Sequence, residues 1–265
     1  MRVCILAWTF VLTASLCQAD TGKDVLAEMV GTMAGFKDYK VTVTGEQWVK
    51  GPRGKQRTKS SSTMIAKGKK RYSETTETDA AGNKVERVRI FDGNTSWDYD
   101  RVKKVVRKVD LSRMGGDVQK KMSEALDPMN LGLFGEIGYQ VEEKKADGGR
   151  RCQVLTSTEP LKMGQQTFDK VVIWIDAEKH LPVKIEMESN MVIPAPGGET
   201  MSITTGMTQE FHDWEIDKGV EDSRFSMAIP QGVEVVDETG RAKEMGEILQ
   251  RQEEMKKKAE ETRQE

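Results

Sequence analysis

The sequence predicts an α+β fold: one antiparallel sheet of about ten strands packed against two helices, with a charged helical tail behind it. Three observations carry this expectation. From residue 38 to 237, short segments rich in Val, Ile, Thr and aromatic residues recur at hairpin spacing, separated by turns of Gly, Pro, Asn and Asp. Only residues 22–37 and 112–126 interrupt that rhythm with apolar positions at helical spacing. Finally, most residues from Arg241 to Glu265 are charged, and none is Pro.

The N-terminus reads as an address. Met1-Arg2 precedes an apolar stretch from Val3 to Leu16, and Cys17-Gln18-Ala19 offers small residues where a signal peptidase cuts. The expected cut follows Ala19, so that Asp20 begins the mature chain, and the apolar stretch is too short to remain as a membrane anchor. An alternative reading makes Cys17 a lipidated N-terminus, although Leu16 is bulky for such a site. Cleavage removes Cys4 and Cys17 and leaves Cys152 alone, so the exported chain has no internal disulfide and its stability comes from packing.

The first helix is expected over 22–37, where Leu26, Met29, Val30, Met33 and Phe36 share one face. A strand then runs from Val41 to Val49 and turns at Gly51-Pro52-Arg53-Gly54. Residues 56–78 form two strands around Lys67-Gly68-Lys69, and Asp79 to Asn83 make the next turn. Val85 to Phe91 pairs across Asp92-Gly93-Asn94 with Ser96 to Tyr99. Val102, Val105, Val106 and Val109 continue the pattern. Ser112 to Leu126 is the second helix, closed by Asp127-Pro128, and Leu131 to Gly135 is an apolar loop. Strands resume at 139–145, 151–157, 168–176, 183–189 and 201–214. The uninterrupted Val171-Val172-Ile173-Trp174-Ile175 marks a strand covered on both faces. In the tail, Glu247/Arg251, Glu253/Lys257 and Glu254/Lys258 are favourably oriented i,i+4 pairs beside a thin apolar stripe of Met245, Ile248, Leu249, Gln252 and Met255. That pattern describes a solvated, fraying helix, or one that docks on a partner or on a second copy of the chain.

Composition narrows the function. Charged residues make up 32% of the 265 positions and mean hydropathy is −0.60, which excludes a multi-span membrane protein. With 41 basic and 43 acidic residues there is no global basic field for a nucleic acid. Two His and one mature Cys leave little for nucleophilic or metal chemistry, and no G-x-S-x-G, H-E-x-x-H, C-x-x-C or P-loop pattern occurs.

Three stretches together resemble the LolA-like superfamily of periplasmic lipoprotein carriers, outer-membrane lipoprotein-sorting proteins and related stress-sensing regulators. They are Ile90-Phe91-Asp92-Gly93-Asn94-Thr95-Ser96-Trp97-Asp98-Tyr99; Val171 to Asp176 with His180-Leu181-Pro182-Val183-Lys184-Ile185; and Phe211 to Ile216 with Phe225 to Val233. The resemblance spans about residues 20–237. It implies a half-open β-barrel of about 10–11 strands with helices over an apolar concave face that takes acyl chains or the lipid end of a lipoprotein. The Met- and Gly-rich stretch 112–135 and the charged tail depart from the family pattern.

On this reading the chain divides into a signal peptide (1–19), a LolA-like domain (20–239) and a charged helical tail (240–265). Candidate pocket residues are Trp48, Met64, Tyr72, Phe91, Trp97, Tyr99, Trp174 and Met187, with Met29, Met33 and Met122 on the lid helices. Methionine is frequent, at 15 of 265, and its flexible thioether suits both irregular cores and surfaces that accept varied apolar shapes. Trp48 and Trp97 alternate with polar neighbours, as a cavity-facing aromatic would. Asp92, Asn94, Ser96, Asp98 and Asp100 fall at every second position, a spacing that a calcium ion can use on an extended chain, but Asp92-Gly93-Asn94 already serves as a turn. Asn94-Thr95-Ser96 fits a glycosylation sequon, which a bacterial resemblance discounts. The basic clusters at Arg53–Lys59, Lys67–Arg71 and Arg101–Lys108 suit solvated hairpin tips or anionic lipid headgroups.

The expectation is therefore an exported, non-catalytic periplasmic carrier that binds acyl chains or lipoprotein lipid, without metal or cofactor, and hands its cargo to a membrane partner. The alternative is a periplasmic sensor of the same fold that regulates a protein partner through the half-barrel or the tail.

Overall fold

A computed structural model describes residues 18–52, 54–125, 131–163, 166–194 and 200–248, together with Arg251 and Met255. The expected signal peptide and Cys17 lie outside the described residues, apart from Gln18 and Ala19. Helix α1 (Gln18–Ala34) leads into six successive hairpin strands, β1 (Asp38–Gly51), β2 (Gly54–Lys67), β3 (Lys70–Thr78), β4 (Lys84–Phe91), β5 (Thr95–Asp100) and β6 (Val105–Asp110). A 3-10 turn (Leu111–Arg113), α2 (Gly116–Ala125) and a second 3-10 segment (Leu131–Glu136) follow. Then come β7 (Tyr139–Lys145), β8 (Arg151–Ser157), the small hairpin β9 (Leu161–Met163) and β10 (Gln166–Phe168), β11 (Lys170–Asp176), β12 (Pro182–Pro194) and β13 (Thr200–Ile216). A short strand β14 (Glu234–Asp237) precedes a helix over 239–248.

Twelve strands form one sheet in the order β14-β6-β5-β4-β3-β2-β1-β13-β12-β11-β8-β7, and β9 and β10 pair separately. The sheet is open, since β14 and β7 are its two ends, which agrees with the half-open architecture that the resemblance implied. Three details differ from the expectation. The strands outnumber the 10–11 anticipated because β9, β10 and β14 are only three or four residues long, too short for alternation to register. β14 pairs parallel with β6, so the sheet is not wholly antiparallel. The 131–136 stretch is a 3-10 segment rather than a loop, and α2 starts late because the Asp110 carboxylate caps the 111–113 turn by accepting from Ser112 N (3.1 Å).

Strand register sorts the side chains onto two faces. Val41 and Val43 lie opposite Met64 and Ser62 on β2, and Val43 lies opposite Phe211 on β13. The same side continues through Met207, Ile185, Met187, Val171, Ile173 and Leu155 to Tyr139. This apolar half is roofed by α1, by Leu131, Phe134 and Ile137, and by Leu161 of β9. Gly22 permits the closest approach of α1, because a Cβ there would sit 2.7 Å from that of Tyr139. The Tyr139 hydroxyl, carried into this core, donates to Phe134 O at 2.7 Å. A β-bulge at Lys40/Thr42, opposite Asp213 with its φ of 52°, resets the alternation and lets Trp214 join Tyr39 and Phe211 on the same side.

On the opposite face Val172, Trp174, Cys152 and Val154 form one cluster, so the apolar run of β11 is indeed covered on both sides. Ile65, Tyr72, Val88 and Ile90 form another, closed by Phe225 from the chain that leaves β13. That departing chain is clasped to the start of β1. Asp217 Oδ1 accepts from Lys37 N (2.8 Å), and Asp38 Oδ1 accepts from Lys218 N (3.1 Å) and Gly219 N (3.2 Å).

The final helix is not a free tail over its described length. Thr239 is buried, and its hydroxyl accepts from Asp110 N at 2.9 Å. Ala242 packs with Phe91, Leu111, Met114 and Val118, and a side chain at Gly246 would collide with Val118 of α2. The expected boundary at 239/240 thus falls at the start of a helix that docks on its own chain.

Candidate functional site

The eight predicted pocket residues divide between the two faces, and this corrects the expectation that they line one cavity. Met64, Phe91 and Met187 share the helix-covered face, whereas Trp48, Tyr72, Trp97, Tyr99 and Trp174 point to the other. The physical reason is register. Ile90 pairs with Trp97 and Val88 with Tyr99, while Phe91 pairs with Ser96, so Phe91 and the β5 aromatics cannot meet.

On the opposite face three of the tryptophans are topped by lysine. Lys55 Nζ lies 4.0 Å from the Trp48 ring, Lys184 Nζ 4.5 Å from Trp174 and Lys108 Nζ 5.3 Å from Trp97. Polar sequence neighbours mark Trp48 and Trp97 as cavity-facing, but each of the three rings is covered by groups from the adjacent strand. Trp174 Nε1 donates to Glu186 Oε2 at 3.2 Å, for instance. Beside Trp48 a recess of about 180 Å³ is edged by Lys170, Glu186 and Glu188. Tyr72 donates its hydroxyl to Glu74 Oε2 at 2.9 Å. Burial, then this bond, raises the phenol pKa. Burial pulls the Glu74 carboxyl upward, but the bonds from Tyr72 and Arg101 hold it below its ordinary value.

Of the predicted lid residues, Met29 is fully buried and Met33 partly buried against the β-sheet core. Met122 belongs to α2, and its side chain lies outside the described residues. On the helix-covered face the chemistry changes along the sheet. β7 to β2 present Val, Ile, Leu and Met, while β3 to β6 present Arg71, Arg87, Arg89, Asp98, Asp100 and Arg107 by register. Arg87 and Arg89 pair with Asp98 at 3.4 and 3.1 Å.

At the border of this charged half, α2 stands away from the ends of the β2–β3 and β4–β5 hairpins and leaves a cleft of about 570 Å³. Its bottom is buried Phe91 and Leu111, and α2 contributes Gln119, Lys120 and Ser123. Gly68 and Gly93, at φ of 54° and 106°, form the hairpin tips, and Lys69 and Arg71 stand beside them. The volume lies within the usual range of small-molecule sites. Phe91 was marked by sequence as a pocket residue. Leu111, Gln119 and Lys120 were missed, because only the packing of α2 on the sheet brings them to the hairpin tips.

The other sequence candidates are occupied by structural roles. Asp92 Oδ1 accepts from Asn94 N (2.9 Å) and Thr95 N (2.8 Å), Asp98 faces arginines and Asp100 accepts from Lys103 N (2.9 Å), so the alternating oxygens are dispersed. Among the described residues no group of three or more His, Cys, Asp or Glu is placed to hold a metal ion. His212 Nε2 lies 3.1 Å from Thr44 Oγ1, and His180 Nδ1 lies 3.5 Å from Glu28 Oε2. Cys152 is buried, and that burial, followed by the Asp176 charge, raises its thiol pKa, which removes it as a ready nucleophile. No helix among the described residues is long and apolar enough to cross a membrane.

Comparison with known families gives a match over residues 102–232, just under half of the chain, to a family described as a protein of unknown function (DUF1571). Curated proteins give no match. Several solved structures are similar over most of the chain. An outer membrane lipoprotein-sorting protein domain from Vibrio parahaemolyticus shares 13% identity, with 78% of this chain and 96% of that one covered and a TM-score of 0.34. A LolA superfamily protein from Nitrosomonas europaea shares 14%, covering 80% and 99%, at 0.30. LprF from Mycobacterium bovis shares 10%, covering 82% and 99%, at 0.42.

Proposed function

We propose that this chain is an exported, non-catalytic carrier that takes an acyl chain, free or as the lipid end of a lipoprotein, into the cleft beside α2. The observation that carries this reading is the cleft itself, about 570 Å³ with buried Phe91 and Leu111 at its bottom. Binding is differential burial: each CH2 moved from water onto that floor gains roughly 0.8 kcal/mol. Met29 and Met33 of α1, with Met64 and Met187 of the sheet beneath it, supply adaptable packing in the neighbouring core. In this reading α2 is the element that yields on loading, and α1 is the roof of the permanent core. No nucleotide-binding motif is present to drive release, so cargo leaves to a membrane partner of higher affinity. The signal-like N-terminus supports export, and in this reading the exchange takes place in the periplasm, as part of outer-membrane lipoprotein sorting.

The test is native mass spectrometry of residues 20–265 purified from an exporting host, followed by lipid extraction. A co-purifying acyl species is expected. It is lost in Gln119→Trp, which fills the cleft, and retained in Trp48→Phe on the opposite face. A chain that arrives empty and ignores added fatty acid and lipopeptide would overturn the proposal.

A further inference from the structure

The mouth of the cleft carries a charge pattern that its apolar floor does not require. Lys69 on the β2–β3 tip and Lys120 on α2 are exposed on its two sides, and Arg71 lines it opposite Phe91 on the neighbouring strand. Among the described lining residues there is no carboxylate. The neighbouring lysines behave differently. Lys67 and Lys70 both reach Asp222, at 3.2 and 3.0 Å, on the far side of the hairpin. Lys69 and Lys120 have no ion pair among the described residues, while Arg71 Nη1 is held by the hairpin's own carbonyls, donating to Gly68 O (2.5 Å) and Lys70 O (3.0 Å). The Arg71 guanidinium is thereby set in place next to Phe91, its direct cross-strand partner.

From this juxtaposition we infer that the cleft selects its ligand by an anionic, phosphate-bearing group clamped between Lys69 and Lys120 at the mouth, with the apolar remainder over Phe91 and Leu111. The inference rests on the acyl-binding reading and adds a headgroup class to it. Two ammonium groups on separate elements form a clamp only while α2 is seated, so headgroup capture and closure of α2 are one event. Recognition is by point charge rather than by a bidentate fork, since the lysines and not Arg71 face the ligand freely. The interaction is therefore salt-sensitive.

The test uses residues 20–265 and three probes by titration calorimetry: lysophosphatidylglycerol, lysophosphatidylcholine of the same chain length, and inorganic phosphate. At low salt the anionic lipid is expected to bind roughly tenfold or more tightly than the zwitterionic one. That preference should vanish in Lys69→Glu/Lys120→Glu and at about 1 M NaCl. Equal binding of the two lipids to the unaltered chain overturns the headgroup inference and leaves the acyl reading standing. Binding of inorganic phosphate without either lipid, lost in the double variant, supports the anion clamp, assigns it to a free anion and refutes the acyl reading. Silence with all three probes overturns both.

Discussion

Trp48 is held by what its neighbour lacks. Its indole packs over Gly206, its direct partner on β13, and a Cβ on Gly206 would overlap the ring. Gly206→Val is expected to destabilise the chain by about 1–3 kcal/mol, read as a lower urea midpoint. Adding Trp48→Ala should return part of that loss, because the two residues share one contact. If the double variant loses the sum of the two single losses, the packing account is wrong. The same residue shows why the site list was only partly legible. Alternation identifies which residues share a side of a strand, but not which side a helix will roof. Trp48 and Trp97 alternate with polar neighbours as cavity residues do, yet lysine ammonium groups sit over them instead. Phe91, which lines the cleft, stands out in the sequence because it ends an apolar strand; Lys69 falls in a basic cluster that suits a solvated tip or an anionic headgroup, and Lys120 reads as an ordinary surface charge.

At the scale of elements, the C-terminal helix and α2 stand or fall together. Thr239 fastens the start of the helix to Asp110, and Gly246 lets it lie against Val118. Thr239→Ala strands the Asp110 N–H and should cost about 1 kcal/mol, and Gly246→Leu should lift the helix from α2. In both variants hydrogen exchange is expected to quicken in α2 and in 239–248 together while β1 to β3 keep their protection. Quickening confined to 239–248 would show that α2 is seated without it. The sequence predicts a helical tail through i,i+4 charge pairs, of which Glu247/Arg251 is described, at 4.0 Å, and Glu253/Lys257 and Glu254/Lys258 lie outside the described residues. Its docking could not be read there, since a small residue at position 246 is no signal until another helix arrives. Along the rest of the chain, β7 and β8 were bounded correctly because polar turns flank them. β9, β10 and β14 escaped because three or four residues hold too little pattern.

Across the whole molecule, carboxylates at turns and caps tie the sheet together and set its acid limit. Hydrogen bonds from Asn83 hold Asp79 below the ordinary aspartate value of 3.8. Backbone donation from Lys103 does so for Asp100, the Ser112 and Thr239 side chains for Asp110 and Asp237, and the bonds from Lys70 and Lys67 for Asp222. A carboxyl whose folded pKa is depressed adds stability that is complete above its unfolded value and disappears as pH falls through the folded one. The urea midpoint is therefore expected to be level from about pH 5 to 7 and to drop below about pH 4; a midpoint still level at pH 3 would contradict this. Sequence alone determined the fold class, the order of the long strands and the early and middle helices, because hydrophobic period and turn chemistry are local properties that act within a few residues. Tertiary structure decided which face is roofed, that β14 closes on β6, that α2 and two hairpin tips meet around one cleft, and that the final helix docks on α2. Those outcomes depend on contacts between residues far apart in the chain, whose pairing no local period encodes.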